Sequence, residues 1–454
     1  MGLHDKIDRD KLDRHKKDLE VRKRGRSIED TWTRLDGDDN LSTKEKLQRL
    51  IDLRIAGKEK KEAPRARPDW EPEPREPLQY FENAYSLDTR YGKAVIGEGL
   101  KIDGETLYYL SRNEEFQGLG LDTALFLDLE TTGLAGGTGT TAFLVGLGYY
   151  RSDKFVVAQY FLGDPGEEER MLRDLDRLFE EGGFRSVVTY NGKAFDIPLL
   201  ETRFILKRQK LRLVDWPHFD FLFSARSLWK HKHESCRLFH LAREVVAADR
   251  SEDIPGAEIP ARYFDYLRTG DFSRIEPILY HNQEDILSLL GLVIVGARLF
   301  KGEKAEDRTS DEAAEMDALD LVGVGRLFET AGDLGRSIAI FERAIDVGLP
   351  SGMEIILKEK ISYHFKRAKD WDKAVPLWKD LSEMEWTVLA GREVKGILNS
   401  LRQLAIHHER HTKDLPEALR MAEEGLALAM RVAAPLLGDF RKRVNRLQGK
   451  IGPD

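Results

Sequence analysis

Three short segments carry side chains suited to metal or acid–base chemistry. The first is Phe126-Leu127-Asp128-Leu129-Glu130-Thr131-Thr132-Gly133-Leu134, an apolar run that delivers two carboxylates two residues apart. In an extended strand, period two sends Asp128 and Glu130 to the same face. Carboxylates side by side at the end of a core strand repel unless something neutralises them, and a hard divalent cation with oxygen ligands is an economical neutraliser. The second is Tyr190-Asn191-Gly192-Lys193-Ala194-Phe195-Asp196, where a strand gives way to a turn and Asp196 stands near the start of a helix. The third is His281-Asn282-Gln283-Glu284-Asp285 at the head of an amphipathic helix. His281 and Asp285 are four apart and so share one side of it. Taken singly, each segment also reads as an ordinary strand-end or N-cap carboxylate with no metal.

The elements around these residues have the texture of an α/β domain from about Phe81 to Lys301. Strands are expected at Ala124–Leu129, Ala142–Tyr150, Phe155–Phe161 and Ser186–Thr189. Helices are expected at Glu167–Glu181, from about Phe195 to Gln209, and at Glu284–Phe300, whose stripe includes Ile286, Leu289, Leu290, Val293 and Ala297. The glycine-rich connection Ala135-Gly136-Gly137-Thr138-Gly139 makes the first two strands an antiparallel pair. The strand at Ser186 follows a helix and can lie parallel.

Past Asp311 strand signals vanish and one pattern recurs. Asp333-Leu-Gly-Arg-Ser337, Asp370-Trp-Asp-Lys-Ala374 and Asp414-Leu-Pro-Glu-Ala418 each place a small residue four after an aspartate. The period resembles degenerate tetratricopeptide-like repeats over 311–450, stacked helix pairs with one groove-like face. Residues 1–80 instead hold 21 Lys/Arg and 19 Asp/Glu. They read as a charged arm with helical stretches at Leu12–Lys23 and Ser42–Ile55, and a linker made semi-rigid by five prolines between Pro64 and Pro77.

Composition narrows the class. A hydrophobic share of 41% excludes wholesale disorder, and a net charge of −8 excludes a generally basic nucleic-acid coat. The single cysteine, Cys236, excludes a disulfide framework or a multi-cysteine zinc site. The first ten residues carry five charges with no apolar run after them, so neither a signal peptide nor a membrane span is expected, and the chain reads as cytoplasmic.

Weaker signals remain. Leu206–His233 carries seven Lys/Arg (Lys207, Arg208, Lys210, Arg212, Arg226, Lys230, Lys232) interleaved with Trp216, Phe219, Phe221, Phe223 and Trp229. That is either a phosphate-tracking and base-stacking surface or a charged helix face over an aromatic core. His233, Cys236 and His240 offer too few ligands for zinc. The run His408-Glu409-Arg410-His411 misses the HExxH spacing and reads as an exposed repeat helix.

Together the three segments resemble the DnaQ-like 3′–5′ exonucleases of the ribonuclease-H-like fold. Asp128 to Leu134 match D-x-E-T-x-G-L, and Asn191, Phe195 and Asp196 match N-x-x-x-(F/Y)-D. His281-x3-Asp285 sets a histidine at the spacing of that family's Tyr-x3-Asp branch, and Tyr280 lies five before Asp285. The Gly-Gly-Thr-Gly turn, Asp253-Ile-Pro-Gly-Ala-Glu-Ile-Pro260, Leu267-Arg-Thr-Gly-Asp271 and His281-Asn282 look more specifically like the YprB-type proteins, over about 85–305. The resemblance implies a ribonuclease-H-like mixed sheet with flanking helices over 81–305, followed by the all-α repeats. It implies two Mg²⁺ or Mn²⁺ ions on Asp128, Glu130, Asp196 and Asp285, with His281 as base at an ordinary imidazole pKa. Thr131, Asn191 and Lys193 would position the end of a DNA or RNA strand. The rival expectations are a nucleic-acid-binding scaffold on a nuclease fold, and a protein whose repeats bind a protein partner.

Overall fold

A run as apolar as Ala124-Leu125-Phe126-Leu127 can be buried on both faces, and in the computed structural model it starts the strand at the heart of a six-stranded sheet. The structure describes residues 77–133, 139–304, 316–384, 392–432 and 435–451. The charged arm, where two helical stretches are expected, nearly all of the proline linker and most of the glycine-rich connection lie outside the described residues.

Strands β1 (Leu78–Ser86), β2 (Arg90–Tyr91), β3 (Ala94–Val95), β4 (Ala124–Thr131), β5 (Ala142–Arg151), β6 (Lys154–Leu162), β7 (Ser186–Thr189) and β8 (His218–Asp220) follow in chain order. The large sheet runs β1-β6-β5-β4-β7-β8, and β2 and β3 pair apart from it. Each of its first four strands is antiparallel to its neighbour among them, while β7 lies parallel to β4 and β8 parallel to β7. The expected antiparallel pair and the expected parallel strand at Ser186 are both present. Strand β1 starts inside the segment expected to be arm and linker. Strand β8 replaces part of the expected basic helix face.

Register explains where the site can form. Strand β7 pairs with β4 only at Ala124, Leu125 and Phe126, so the half of β4 from Leu127 onward has no strand on that side. The carboxyl ends of β4, β7 and β8 open there together, the edge at which α/β sheets hold ligands.

The two faces of the sheet bury different sets. Leu125, Leu127, Val145 and Leu147 pack with Met171, Leu172 and Leu175 of helix Glu168–Glu181 and with Tyr263 of helix Ile259–Thr269. Phe126, Phe155 and Val188 face Ile286, Leu289 and Leu290 of the long helix Glu276–Lys304. By period two Asp128 and Glu130 share the face of Phe126, and so look toward that helix. The helix starts eight residues before the expected Glu284. Pro277 does not stop it, because the second position of a helix needs no amide donor.

The helix crosses β5 at two glycines. A Cβ on Gly148 would lie 2.5 Å from Ile286 Cγ2, and one on Gly146 would lie 2.1 Å from Asn282 Oδ1. Gly146→Ala is therefore expected to push Asn282 out of place and cost about 1–3 kcal/mol. Denaturant melts of the two proteins measure it, and an unchanged midpoint would mean the helix shifts freely.

Beyond residue 316 the regular elements among the described residues are all helical: Ala318–Thr330, Leu334–Val347, Ser351–Ala368, Trp371–Glu383, Arg392–His407, Leu415–Arg431 and Leu437–Ile451. The recurring aspartates are N-caps. Asp333, Asp370 and Asp414 accept from the backbone amides of Arg336, Lys373 and Glu417 at 3.1, 3.2 and 3.0 Å. The small residues four further on, Ser337, Ala374 and Ala418, are buried where helices meet. Among the described residues no helix is long and apolar enough to cross a membrane.

The expected exposure of His408–His411 holds for Arg410 and His411 but fails at Glu409. Glu409 is buried in a π-helical turn and takes Arg446 Nη2 at 2.7 Å and Lys450 Nζ at 2.6 Å. Burial opposes its charge, but those cations outweigh burial and hold its carboxyl below the ordinary 4.5. A lowered acid pKa contributes stability that is present above the unfolded value and lost as pH falls through the folded one. Glu409→Gln is expected to cost about 1–3 kcal/mol at pH 7, and less as pH falls through the carboxyl's lowered folded value. Melts along a descending pH series test this, and a cost that stays equal throughout would tie the loss to packing.

Candidate active site

Three elements bring the candidate residues together. Strand β4 supplies Asp128 and Glu130, the turn after β7 leads into helix Asp196–Leu206, and the long helix supplies His281 and Asp285. The turn is built on a residue outside the expected set. Asp220, buried at the end of β8, accepts Asn191 N at 2.7 Å and Lys193 N at 3.1 Å, and also takes Leu222 N at 3.2 Å. Asn191 takes the left-handed conformation, φ 66°, which asparagine tolerates better than most side chains.

Asp128 is oriented from the helix. Asn282, fully buried, donates Nδ2 to Asp128 Oδ2 at 2.8 Å and accepts Gln159 Nε2 on Oδ1 at 2.9 Å. Gln159 also donates to the Leu279 carbonyl at 2.8 Å, which ties β6 to the helix. His281 Nδ1 lies 2.6 Å from Asp253 Oδ1, and its Nε2 lies 3.8 Å from Glu130 Oε1 and 3.5 Å from Asp285 Oδ2. Arg250 Nη1 donates to Asp285 Oδ1 at 2.5 Å, and Arg250 is also ion-paired with Asp253.

The electrostatics are those of crowded negative charge. Burial, then the charge of Asp285, lifts Asp128 from 3.8 to about 7. Burial and Asp128 raise Glu130 well above the usual range. Burial and Asp128 do the same to Asp196, against backbone amides that favour its charge. Burial presses His281 down, but Asp253, Asp285 and Glu130 outweigh it and lift the ring to about 9. The ordinary imidazole value expected from sequence is thus displaced, and at neutral pH this ring holds its proton among three carboxylates.

Thr131 Oγ1 donates to the Gly133 carbonyl at 3.1 Å. Lys193 is exposed, and its charge, after burial, helps to press His218 down to about 4. In the basic stretch Phe219, Phe221 and Trp229 are core, while Phe223 is exposed. Lys210, Arg212 and Lys232 are paired with Asp215, Asp176 and Asp317. The charged-face-over-core reading fits most of that stretch.

An all-oxygen set with an imidazole beside it is suited to hard divalent cations. The mutual repulsion within the set is what a bound cation would relieve. Among the described residues no group of three or more His, Cys, Asp or Glu is arranged to hold a metal as it stands, and Asp285 is turned to Arg250.

A family described as RNase_H superfamily matches residues 125–295, a span that contains every carboxylate of the cluster. The chain is also 31% identical over 342 residues to a Bacillus subtilis (strain 168) protein named uncharacterized protein YprB. The match covers 75% of this chain and 78% of that one. The chain therefore belongs to the family of YprB, and its residues 125–295 carry a domain of the ribonuclease H superfamily. Members of the superfamily generally hydrolyse nucleic acids and usually use divalent metals.

Proposed function

We propose that this protein is a metal-dependent nuclease, specifically a 3′–5′ exonuclease that hydrolyses phosphodiester bonds of DNA or RNA. The observation that carries the reading is the convergence of Asp128 and Glu130 at the end of β4, Asp196 at the start of its helix and Asp285 on the long helix at one open sheet end. These four would hold two Mg²⁺ or Mn²⁺ ions. Bound there, the ions would lower the pKa of water and stabilise charge at phosphorus.

His281 would accept the water's proton. To do so its ring must be neutral, and the charges of Asp285 and Glu130 are part of what keeps it protonated. Neutralising those carboxylates lowers the ring's proton affinity toward the range of a working base. Thr131, Asn191 and Lys193 would contact the terminal nucleotide, and the exposed Phe195 stands beside them. The helices beyond residue 316 would offer a surface to a protein partner.

End-labelled single- and double-stranded DNA and RNA, with Mg²⁺, Mn²⁺ or EDTA, test the reading. Stepwise metal-dependent shortening from the 3′ end is expected. A second reading, a nucleic-acid-binding scaffold on this fold, is favoured by the Arg250–Asp285 ion pair, which already supplies a cation at that carboxylate. Nucleic-acid binding with no Mn²⁺ binding and no cleavage would select it.

A further inference from the structure

Asp253 lies outside the three segments that suggested chemistry, yet it makes the shortest contact to His281. Its side chain is fully enclosed, and Oδ1 accepts from Nδ1 at 2.6 Å. A carboxylate on Nδ1 fixes the tautomer and the ring plane together. It leaves Nε2 aimed at the space between Glu130 and Asp285.

Asp253 is itself held. Its Oδ2 is ion-paired with Arg250 Nη2, while Nη1 of the same guanidinium donates to Asp285 Oδ1. The Arg250 side chain is fully enclosed, with the Phe239 ring 5.1 Å from its central carbon. One rigid fork therefore spans the acid that touches the imidazole and an acid of the proposed metal set. Sequence proximity does not bring this about, since Asp253 and His281 are 28 residues apart. The chain is delivered by a π-helical turn, Ala242–Val246, and by Ala247 in the left-handed conformation, φ 57°.

The geometry points to Asp253 as the positioning residue of His281, with Arg250 fixing Asp253 and Asp285 relative to each other. Its catalytic meaning rests on the nuclease reading above. The rival account is that Asp253 only neutralises buried Arg250, which would otherwise be costly. A double-mutant cycle separates the two.

Single-turnover cleavage of labelled oligonucleotides with Mn²⁺ is compared for wild type, Asp253→Asn, Asp253→Ala, His281→Ala and the double variants. Each Asp253 substitution is expected to lower the rate about 10–100-fold, with KM within about two-fold. In the His281→Ala background the same substitutions are expected to change the rate less than about two-fold. Equal losses in both backgrounds overturn the proposal. Asp253→Asn keeps the shape and guards against a folding defect in Asp253→Ala, with circular dichroism as the check.

Proton NMR of the imidazole N–H region reads the contact without activity. A downfield Nδ1 proton lost in both His281→Ala and Asp253→Ala is expected. Its absence from the wild type overturns the proposal. If the wild type cleaves nothing under any metal, the nuclease reading fails and the NMR result still decides the contact.

Discussion

Asp128→Asn is expected to reduce cleavage by about 10³-fold or more while raising the melting temperature of the metal-free protein at pH 8. The first effect follows from removing a charged oxygen at the centre of the proposed metal set, and about 4 kcal/mol of transition-state stabilisation corresponds to that factor. The second follows from the same charge seen without metal. Asn keeps an oxygen that can accept from Asn282 Nδ2, so the orienting hydrogen bond survives and only the repulsion is lost.

The sign with pH can be worked out. The carboxyl titrates near 3.8 unfolded and near 7 folded. Between those values the folded state binds more protons, so this group's contribution to stability falls as pH rises and is flat above about 7. The total is on the order of a few kcal/mol. Wild type in EDTA should thus lose stability between pH 4 and pH 7, and Asp128→Asn should lose less. Melts at pH 5 and pH 8 measure this, and a variant less stable than wild type at pH 8 would refute the repulsion argument. The site trades stability for function, a common feature of sites that concentrate one sign of charge.

How much of this could be read from sequence depends on how local the determinant is. Asp128 and Glu130 were legible because an apolar strand and a period of two fix both place and direction. The recurrence of Asp333, Asp370 and Asp414 ahead of helices was legible as a spacing, but not that each caps its helix. Strand β8 was not. It has three residues, His218-Phe219-Asp220, after a proline, and its pairing with β7 is a tertiary fact. The roles of Asp220, Arg250 and Asp253 were hidden too, because each acts on a partner about 30 residues away. Asp253 did fall within a segment marked by resemblance, but nothing in the segment says that it reaches His281. The displaced pKa of that ring was likewise out of reach, since it needs Asp253, Glu130 and Asp285 placed around it in space.

Ending the chain near residue 311 is expected to destroy the cooperative fold, whereas ending it near Lys369 is expected to preserve the core beneath the site. The sequence changes character near 311, from mixed to helical, but the packing does not part there. One continuous core joins Tyr109, Leu228, Trp229 and Phe300 to Leu321, Val322, Leu327, Phe328, Phe341, Leu357 and Ile361. Phe300 stacks on Tyr109 at 5.1 Å and meets Phe328 at 5.1 Å. Helix Ala318–Thr330 lies so close to helix Phe221–Trp229 that a Cβ on Gly323 would be 2.4 Å from the Leu228 carbonyl oxygen. Burying a large apolar side chain contributes about 1.5–3 kcal/mol, so four lost together amount to ~6–12 kcal/mol, comparable to the ~5–15 kcal/mol of a whole domain. Most later helices share a separate core around Trp378, Leu398, Leu404 and Phe440, and helix Ser351–Ala368 feeds both, through Leu357 and Ile361 on one side and Ile355 on the other. Denaturant unfolding of the two truncations tests the boundary, and a two-state transition at the wild-type midpoint for the chain ending at 311 would refute it. A partner sought on the helices therefore has to be mapped with the later cut or with surface substitutions. Loss of binding after a cut at 311 would report an opened core rather than a missing contact.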